Sequence, residues 1–456
     1  MRILEREQEE TEVYFVTSSV SRHVEMLPVM DRVAHSARSQ TAANTAPYAA
    51  PCDTVRQDLA DATRPDVSIL IYDLRASGVV RNALRIARQA AVAGLRVDLV
   101  VVQAQGDFRP SDHPRIKLVS LMPEASANRF LGTLAAAKHL RAYLTQQRPR
   151  VLFSAGNHIH PLAAMACFRL EDAPRLIMRA SNDLSHVRRS GWQALASHVL
   201  AASARPLLRA MFTMADRIVS VSDELAGSLG SRLGLPQAEI DVIPNGIDVN
   251  RIGQLSRQEV MHPWLAPGQP PVILGVGRLH RQKNFPLLLR AFALLRRRQP
   301  ARLMILGAGT PQALKELQDL ADQLGIADDV AFMGYVENPF AYLRRAALYV
   351  LSSSWEGMSN SLLEAMACGC PVVATRCPTG TIEVLADGEY GPLVEIENDE
   401  ALADAMRCRL DQPRQSARLM ARAQDYDLFR ALDAYTHLLV SEARPAEAAP
   451  ALSAAA

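Results

Sequence analysis

Two successive runs of short apolar stretches, each alternating with amphipathic helical patterns, restrict the fold of this 456-residue chain more than any other feature. VSILIYDL (67–74) reads as a buried strand, RNALRIARQAAVAG (81–94) as an amphipathic helix closed by glycine, and RVDLVVVQ (96–103) as the next strand. A strand-helix-strand unit implies a parallel sheet. The alternation continues through RVLFSA (150–155), a helix over 160–170, RLIMRA (175–180), a helical region near 190–214 and RIVSVS (217–222), and ends at DVIPNGID (241–248). A second run starts at PVILGVG (271–277), with helices over 285–298 and 311–325 and strands RLMILG (302–307), VAFMG (330–334), LYVLSS (348–353) and PVVAT (371–375). The fold class is therefore α/β, with two doubly wound, Rossmann-like parallel-sheet domains facing a cleft. The expected boundaries are a first domain over 66–250, a linker over 251–270 where HPWLAPGQPP collects Pro, Gly and Gln, and a second domain over 271–425. A C-terminal helix over 426–443 can return to the first domain. Residues 1–65 and 444–456 lack sustained periodicity and read as disordered extensions.

Composition removes some function classes. Fifty Lys and Arg against 48 Asp and Glu leave a formal charge of +2, which gives no reason to expect a nucleic-acid partner and still allows an acidic ligand. The six cysteines are scattered, and Cys368-Gly-Cys370 is too tight for the usual zinc spacings, so reduced thiols are expected. MRILEREQEE is charged where a signal peptide needs an apolar core, and no run of about 18 apolar residues occurs. A cytoplasmic protein is the expectation.

Ligands of open parallel sheets bind beyond the carboxyl ends of the strands. SSSWEGMSNSLLEAMACGCPVVAT (352–375) places Glu356 in a loop after a strand and Glu364 about one turn inside the following helix. The intervening turn offers backbone N–H groups of Gly357, Met358 and Ser359, with Ser359 or Asn360 as cap, and such a helix start favours an anion. Two acids would repel a bare phosphate, whereas a sugar nucleotide places ribose and hexose hydroxyls on either side of its diphosphate. The loop GVGRLHRQKN (275–284) adds Arg278 and Lys283, which can neutralise that diphosphate. Each residue alone fits an ordinary surface or capping role; the combination is what carries the reading.

GVGRLHRQKN followed by SSWEGMSNSLLEAMACGCPVVAT resembles the nucleotide-sugar-binding domain of the family-four retaining glycosyltransferases (glycosyltransferases group 1), which have the two-domain GT-B fold. VIPNGID (242–248), VSVSDEL (219–225) and residues 306–337 are also similar to recurring segments of that family, so the resemblance spans roughly 66 to 440. It implies that Arg278 and Lys283 hold the diphosphate, that Glu364 holds the ribose, and that Glu356 meets the donor sugar or stabilises positive charge at its anomeric carbon. Gly357, Met358, Ser359 and Asn360 would contact sugar and phosphate, and Met333, Gly334 and Tyr335 would line the base pocket. The chain departs from the family in CPTGTIEV (377–384), where Thr379 replaces one of two paired glycines, so an amide approach to the diphosphate there is open. Glu383 matches a family acid, with a capping role as its equal.

In the first domain, Ser77-Gly78 precedes a helix and either admits close backbone approach of donor or acceptor or makes an ordinary turn. The three-glycine spacing of a dinucleotide fold is missing, which argues against an NAD enzyme. Asn157, His158, Asn182 and Asp183 are acceptor-side candidates, and Ser181-Asn182 stands where many relatives carry a histidine, so no catalytic base is assigned. The implied reaction moves a sugar from a nucleoside-diphosphate sugar to a glycan or lipid-linked saccharide, with retention, with no metal and no cofactor. The stretch 186–215 mixes basic, aromatic and apolar residues, as an interfacial helix at the inner membrane face or an ordinary core-facing helix would. Alternatives on the same fold are a sugar-nucleotide epimerase, a glycan phosphorylase, for which only Lys283 and Lys315 offer a cofactor lysine between 272 and 400, and a non-catalytic sugar-nucleotide-binding subunit.

Overall fold

Thirteen strands in two parallel sheets organise the computed structural model, which describes residues 64–444 apart from 76, 107, 123–128, 183–204 and 237–238. The first sheet contains β1 (Val67–Ile71), β2 (Val97–Gln103), β3 (Ile116–Met122), β4 (Val151–Ser154), β5 (Arg175–Ala180), β6 (Arg217–Ser220) and β7 (Ile240–Val242), in the order β3-β2-β1-β4-β5-β6-β7. The second contains β8 (Val272–Val276), β9 (Arg302–Leu306), β10 (Val330–Gly334), β11 (Leu348–Leu351), β12 (Val372–Thr375) and β13 (Leu393–Val394), in the order β10-β9-β8-β11-β12-β13. Each order reverses direction once, at β1/β4 and at β8/β11, and such switch points open a crevice at the carboxyl ends of the strands.

The central strands are predominantly apolar because both faces are covered: all five residues of β1 and all seven of β2 are buried. Their few polar groups are paired. The Tyr143 hydroxyl donates to Asp98 Oδ2 at 2.6 Å and shares a 2.8 Å bond with Ser68 Oγ, so these buried polar groups are not left to face an apolar surround.

The helices that position the site are α1 (Gly78–Val92), α2 (Arg129–Gln147), α3 (His160–Cys167), α4 (Asp223–Leu233), α5 (Val249–Ser256), α6 (Phe285–Arg296), α7 (Pro311–Gln323), α8 (Pro339–Arg345), α9 (Asn360–Ala367), α10 (Thr381–Val384), α11 (Asp399–Leu410), α12 (Ser416–Gln424) and α13 (Leu428–Ala443). Ser77 caps α1 by accepting from Val80 N at 3.2 Å, and Ser222 caps α4 from Leu225 N at the same distance. Helix α13 packs on the first sheet through Leu428, Leu432, Tyr435, Leu438 and Leu439. Burial of each such side chain contributes roughly 1.5–3 kcal/mol, enough to fix this helix on the first domain.

Three differences from the sequence reading have physical causes. The edge strand β3 has six of its seven residues partly or fully open to solvent, so it carries no continuous apolar run. The stretch assigned to a linker from 251 begins as helix α5, which rests on the second domain: Asn338 Nδ2 donates to Leu255 O at 2.9 Å and Arg345 Nη1 to Ser256 O at 3.4 Å. The two-residue β13 is too short to show a period. Residues 1–63 and 445–456 and most of the candidate interfacial stretch lie outside the described residues.

Candidate active site

The loop after β8 and the loop after β11 leave neighbouring strands at the switch point, and Lys283 and Glu356 meet there. Lys283 Nζ donates to Glu356 Oε1 at 2.7 Å, with the carboxylate buried and the ammonium mostly so. Ser353 Oγ donates to the same oxygen at 2.7 Å and Gln282 Nε2 to Oε2 at 3.2 Å, so both carboxylate oxygens are occupied. The loops are also joined through their backbones. Ser354 N donates to Gln282 O at 2.9 Å and Ser352 Oγ to Lys283 O at 2.8 Å. Glycine at 277 is what allows the lysine its path, since a Cβ there would lie 2.7 Å from Lys283 Cε. Asn284 takes φ 46° as it caps α6, a left-handed conformation that Asn tolerates better than most residues.

Arg278, on the same loop as Lys283, is exposed; its carbonyl accepts from His280 N at 2.8 Å, and its side chain has no hydrogen bond or ion pair among the described residues. It does not reach Glu356. Glu364 lies one turn into α9, partly buried, and its carboxylate accepts no hydrogen bond among the described residues. Burial pushes its carboxyl up to about 7 against the opposing pull of Arg81, Arg85 and Lys283. Arg81 and Arg85, one turn apart on α1, thus present first-domain cations toward a second-domain acid. Burial, with Arg81 next, lowers the Arg85 guanidinium from its ordinary value. The sequence reading passed over this pair, although an i, i+4 arginine pair on the helix that follows Gly78 was a visible signal.

The turn between the two glutamates is one contact between the domains. Met358 and Ser359 are buried, and a Cβ at Gly357 would fall 1.9 Å from Ser181 O, so only glycine permits this approach. Asn245 Nδ2 donates to Met358 O at 3.2 Å, while Asn245 Oδ1 accepts from Arg179 Nη2 at 2.6 Å and Asn82 Nδ2 at 3.3 Å. Arg179 is itself fully buried and also donates to the Tyr435 hydroxyl at 2.8 Å. Among the described residues the amides of Gly357, Met358 and Ser359 donate no hydrogen bond, and Asn360 Oδ1 is buried without a partner. Asn360 Nδ2 lies 3.6 Å from the place a Cβ would take on Gly78, which sets the first-domain turn beside the start of α9.

The acceptor-side candidates hold one another. Asn157 Nδ2 donates to Asn182 O at 2.6 Å, and Asn157 Oδ1 accepts from Ser181 N at 2.8 Å. Asn182 Oδ1 is buried without a partner. His158 is exposed, with its ring edge-on to Tyr72 at 5.9 Å. Asp183 lies outside the described residues. The neighbouring His160 is fully buried on Ser154 Oγ at 2.8 Å, and burial lowers its imidazole to about 3, so it stays neutral at physiological pH. Gly334 has φ 65° and accepts from Gly307 N at 2.7 Å, whereas Tyr335 is 72% exposed.

At the departure from the family pattern, the backbone keeps a glycine-like path. Thr379 has φ 71° and Gly380 φ 63°, and the Thr379 hydroxyl donates to Glu356 O. A β-branched residue at positive φ is unusual, so the hydroxyl bond and the close packing of Gly380 on Gly357 O offset that strain. Thr379→Val keeps the branch and removes the donor from a buried carbonyl. It is expected to cost about 1–3 kcal/mol in urea denaturation, and an unchanged midpoint would remove this contact as a support of Glu356. Across the domains, Asp223 N donates to Glu383 Oε2 at 3.1 Å, so this acid contacts the first helical residue of α4.

Two doubly wound parallel sheets meeting at their carboxyl ends, with cations and acids from the β8 and β11 loops between them, define a GT-B architecture. The model of the family described as "Glycosyltransferase Family 4" matches residues 76–251, and that described as "Glycosyl transferases group 1" matches 270–412. The chain belongs to the group 1 glycosyltransferases of the family-four type. It is 31% identical over 238 residues to the N-acetylgalactosamine-N,N'-diacetylbacillosaminyl-diphospho-undecaprenol 4-alpha-N-acetylgalactosaminyltransferase of Campylobacter jejuni, covering 51% of this chain and 62% of that protein. It is 30% identical over 267 residues to the GDP-mannose-dependent alpha-(1-6)-phosphatidylinositol monomannoside mannosyltransferase of Mycolicibacterium smegmatis, covering 56% and 66% respectively. The matches thus span less than two thirds of these relatives. The sucrose-phosphate synthase structure from Thermosynechococcus elongatus superposes with a TM-score of 0.67 at 18% identity, covering 82% of this chain and 97% of that one, a likeness of fold. Among the described residues no helix is long and apolar enough to cross a membrane, and no three His, Cys, Asp or Glu side chains cluster as metal ligands would.

Proposed function

We propose that the chain transfers a sugar from a nucleoside-diphosphate sugar to a saccharide or lipid-linked saccharide, with retention of anomeric configuration and without a metal ion. The observation that carries this is the Lys283–Glu356 contact of 2.7 Å at the β8/β11 switch point, with unpaired Arg278 on the same loop. In this reading Arg278 and Lys283 neutralise the diphosphate, Glu364 accepts from ribose hydroxyls, Glu356 faces the donor sugar, and the unbonded amides of Gly357 to Ser359 address the sugar and its phosphate. The acceptor oxygen bonds to the anomeric carbon on the face from which the diphosphate leaves. The breaking C–O pair stays on the diphosphate, whose oxygen takes the acceptor's proton, so no side chain has to act as base. That agrees with Ser181-Asn182 at the end of β5 and with the neutral, buried His160. The names of the two relatives specify a diphospho-undecaprenol-linked saccharide and a phosphatidylinositol monomannoside, which favours a lipid-linked acceptor.

The test is incubation with UDP-, GDP- and ADP-sugars and lipid-linked acceptors, following donor consumption by mass spectrometry and product anomer by NMR. Turnover with retention is expected. Activity is expected to survive EDTA unchanged, because the two cations already serve the leaving group. Loss in EDTA that magnesium restores would overturn the metal-free mechanism, and an inverted product would overturn the front-face geometry.

A further inference from the structure

At the amino-terminal end of the central strands of the first sheet, a cavity of about 500 Å³ is lined by Arg64, Arg150, Arg175 and Arg444, with Glu442 as its lone acid. Arg64 precedes β1, Arg150 precedes β4 and Arg175 opens β5, so three arginines stand at the amino ends of adjacent parallel strands. The fourth follows the last turn of α13. The donor groups stand at the carboxyl ends of such strands, a full strand length away, so this cavity has no part in the cleft described above.

Contacts within the protein orient three of these side chains, Arg64, Arg150 and Arg175. Arg64 Nε donates to Arg148 O. Arg150 Nε lies 3.7 Å from Asp66 Oδ1, and Arg175 Nε pairs with Glu442, which also lies 3.3 Å from Arg217 Nε. Glu442 is therefore shared by two arginines, and Asp66 is divided between Arg150 and Arg96. Arg64 and Arg444 have no carboxylate partner among the described residues. Every cation lining the cavity is an arginine, whose planar fork matches paired phosphate oxygens, and none is a lysine. No aromatic ring lines it, so nothing would stack a nucleobase.

We propose that this cavity is a second anion site, for a compact, multiply charged phosphate group. Either a free polyphosphate or the phosphomonoester headgroup of a lipid supplies that chemistry. Inorganic tripolyphosphate is titrated calorimetrically into the full chain, and the chain is co-sedimented with vesicles of phosphatidylcholine and phosphatidic acid in equal parts. Arg64→Ala/Arg444→Ala removes two cations that support no ion pair among the described residues, and its thermal unfolding is followed alongside. Arg278→Ala/Lys283→Ala separates this site from the donor site.

The expected result is tripolyphosphate binding that Arg278→Ala/Lys283→Ala retains and Arg64→Ala/Arg444→Ala weakens at least about tenfold, as loss of charge-assisted bonds would. The same variant pattern confined to the vesicles would identify the headgroup as the source. Binding of neither probe, or binding indifferent to Arg64 and Arg444 in a folded variant, overturns the site. Binding lost only in Arg278→Ala/Lys283→Ala places the anion in the donor cleft and likewise overturns it.

Discussion

Removing a donor-loop cation is expected to lower kcat by about 10²- to 10³-fold, the range found when one preorganised charge-stabilising group is lost. Arg278→Ala is the cleaner test. The Arg278 side chain is exposed and bonds to nothing among the described residues, so its loss should leave urea denaturation within about 0.5 kcal/mol of the parent chain. Lys283→Ala combines two effects. It removes charge from the leaving group and strips buried Glu356 of its cation, a change that can cost about 3–5 kcal/mol when a buried pair is broken. The double variant Lys283→Ala/Glu356→Ala removes both charges and should regain part of that stability without regaining turnover. Steady-state kinetics beside denaturation separates the two contributions. Normal turnover in folded Arg278→Ala and in the folded double variant would contradict the electrostatic mechanism.

The sheets were legible because both are parallel and covered on both faces. VSILI and VDLVVVQ are apolar apart from Ser68, Asp98 and Gln103, and can be read without knowing their neighbours. Lys283 and Glu356 were legible for a topological reason, since loops after strands that flank a switch point must share one crevice. Half-exposed β3 and two-residue β13 present too little period to be seen alone.

Contacts between distant segments were hidden altogether. The spacing of SNSLLEAM says that Glu364 sits one turn into a helix, but not that Arg81 and Arg85 from a helix of the other domain face it. Gly357 reads as a turn glycine, whereas its necessity comes from Ser181 in the other domain. Thr379 shows the converse limit. The residue type argues against a glycine-like path, yet the local fold imposes one and uses the hydroxyl to hold the Glu356 carbonyl. Local sequence specifies which groups are available, while the meeting of the two sheets decides what each group touches.

Glu364→Gln is expected to make the protein more stable and a poorer nucleotide binder, a pairing that only a functionally retained acid explains. Burial raises the Glu364 carboxyl from an ordinary 4.5 to about 7, with no donor among the described residues to stabilise its charged form. Between those values the folded protein holds a proton that the unfolded chain has released. Stability contributed by this group therefore falls as pH rises from about 4.5 to 7, and its penalty is complete above that. Glutamine keeps the shape without the charge. At pH 8 the variant should be more stable by on the order of 2 kcal/mol, reduced from the full linkage value because the side chain is partly open to water. The two denaturation curves should converge towards pH 5. If the carboxylate accepts ribose hydroxyls, nucleotide affinity in the parent chain rises through pH 7 as the acid ionises. In the glutamine variant it is weaker by about 10- to 100-fold and flat across the same range. Calorimetric titration with UDP and GDP from pH 5.5 to 8.5, beside urea denaturation, reads both effects. A variant less stable than its parent at pH 8 would remove the desolvated-acid argument. Equal, pH-independent affinity in the two proteins would remove Glu364 from the ribose.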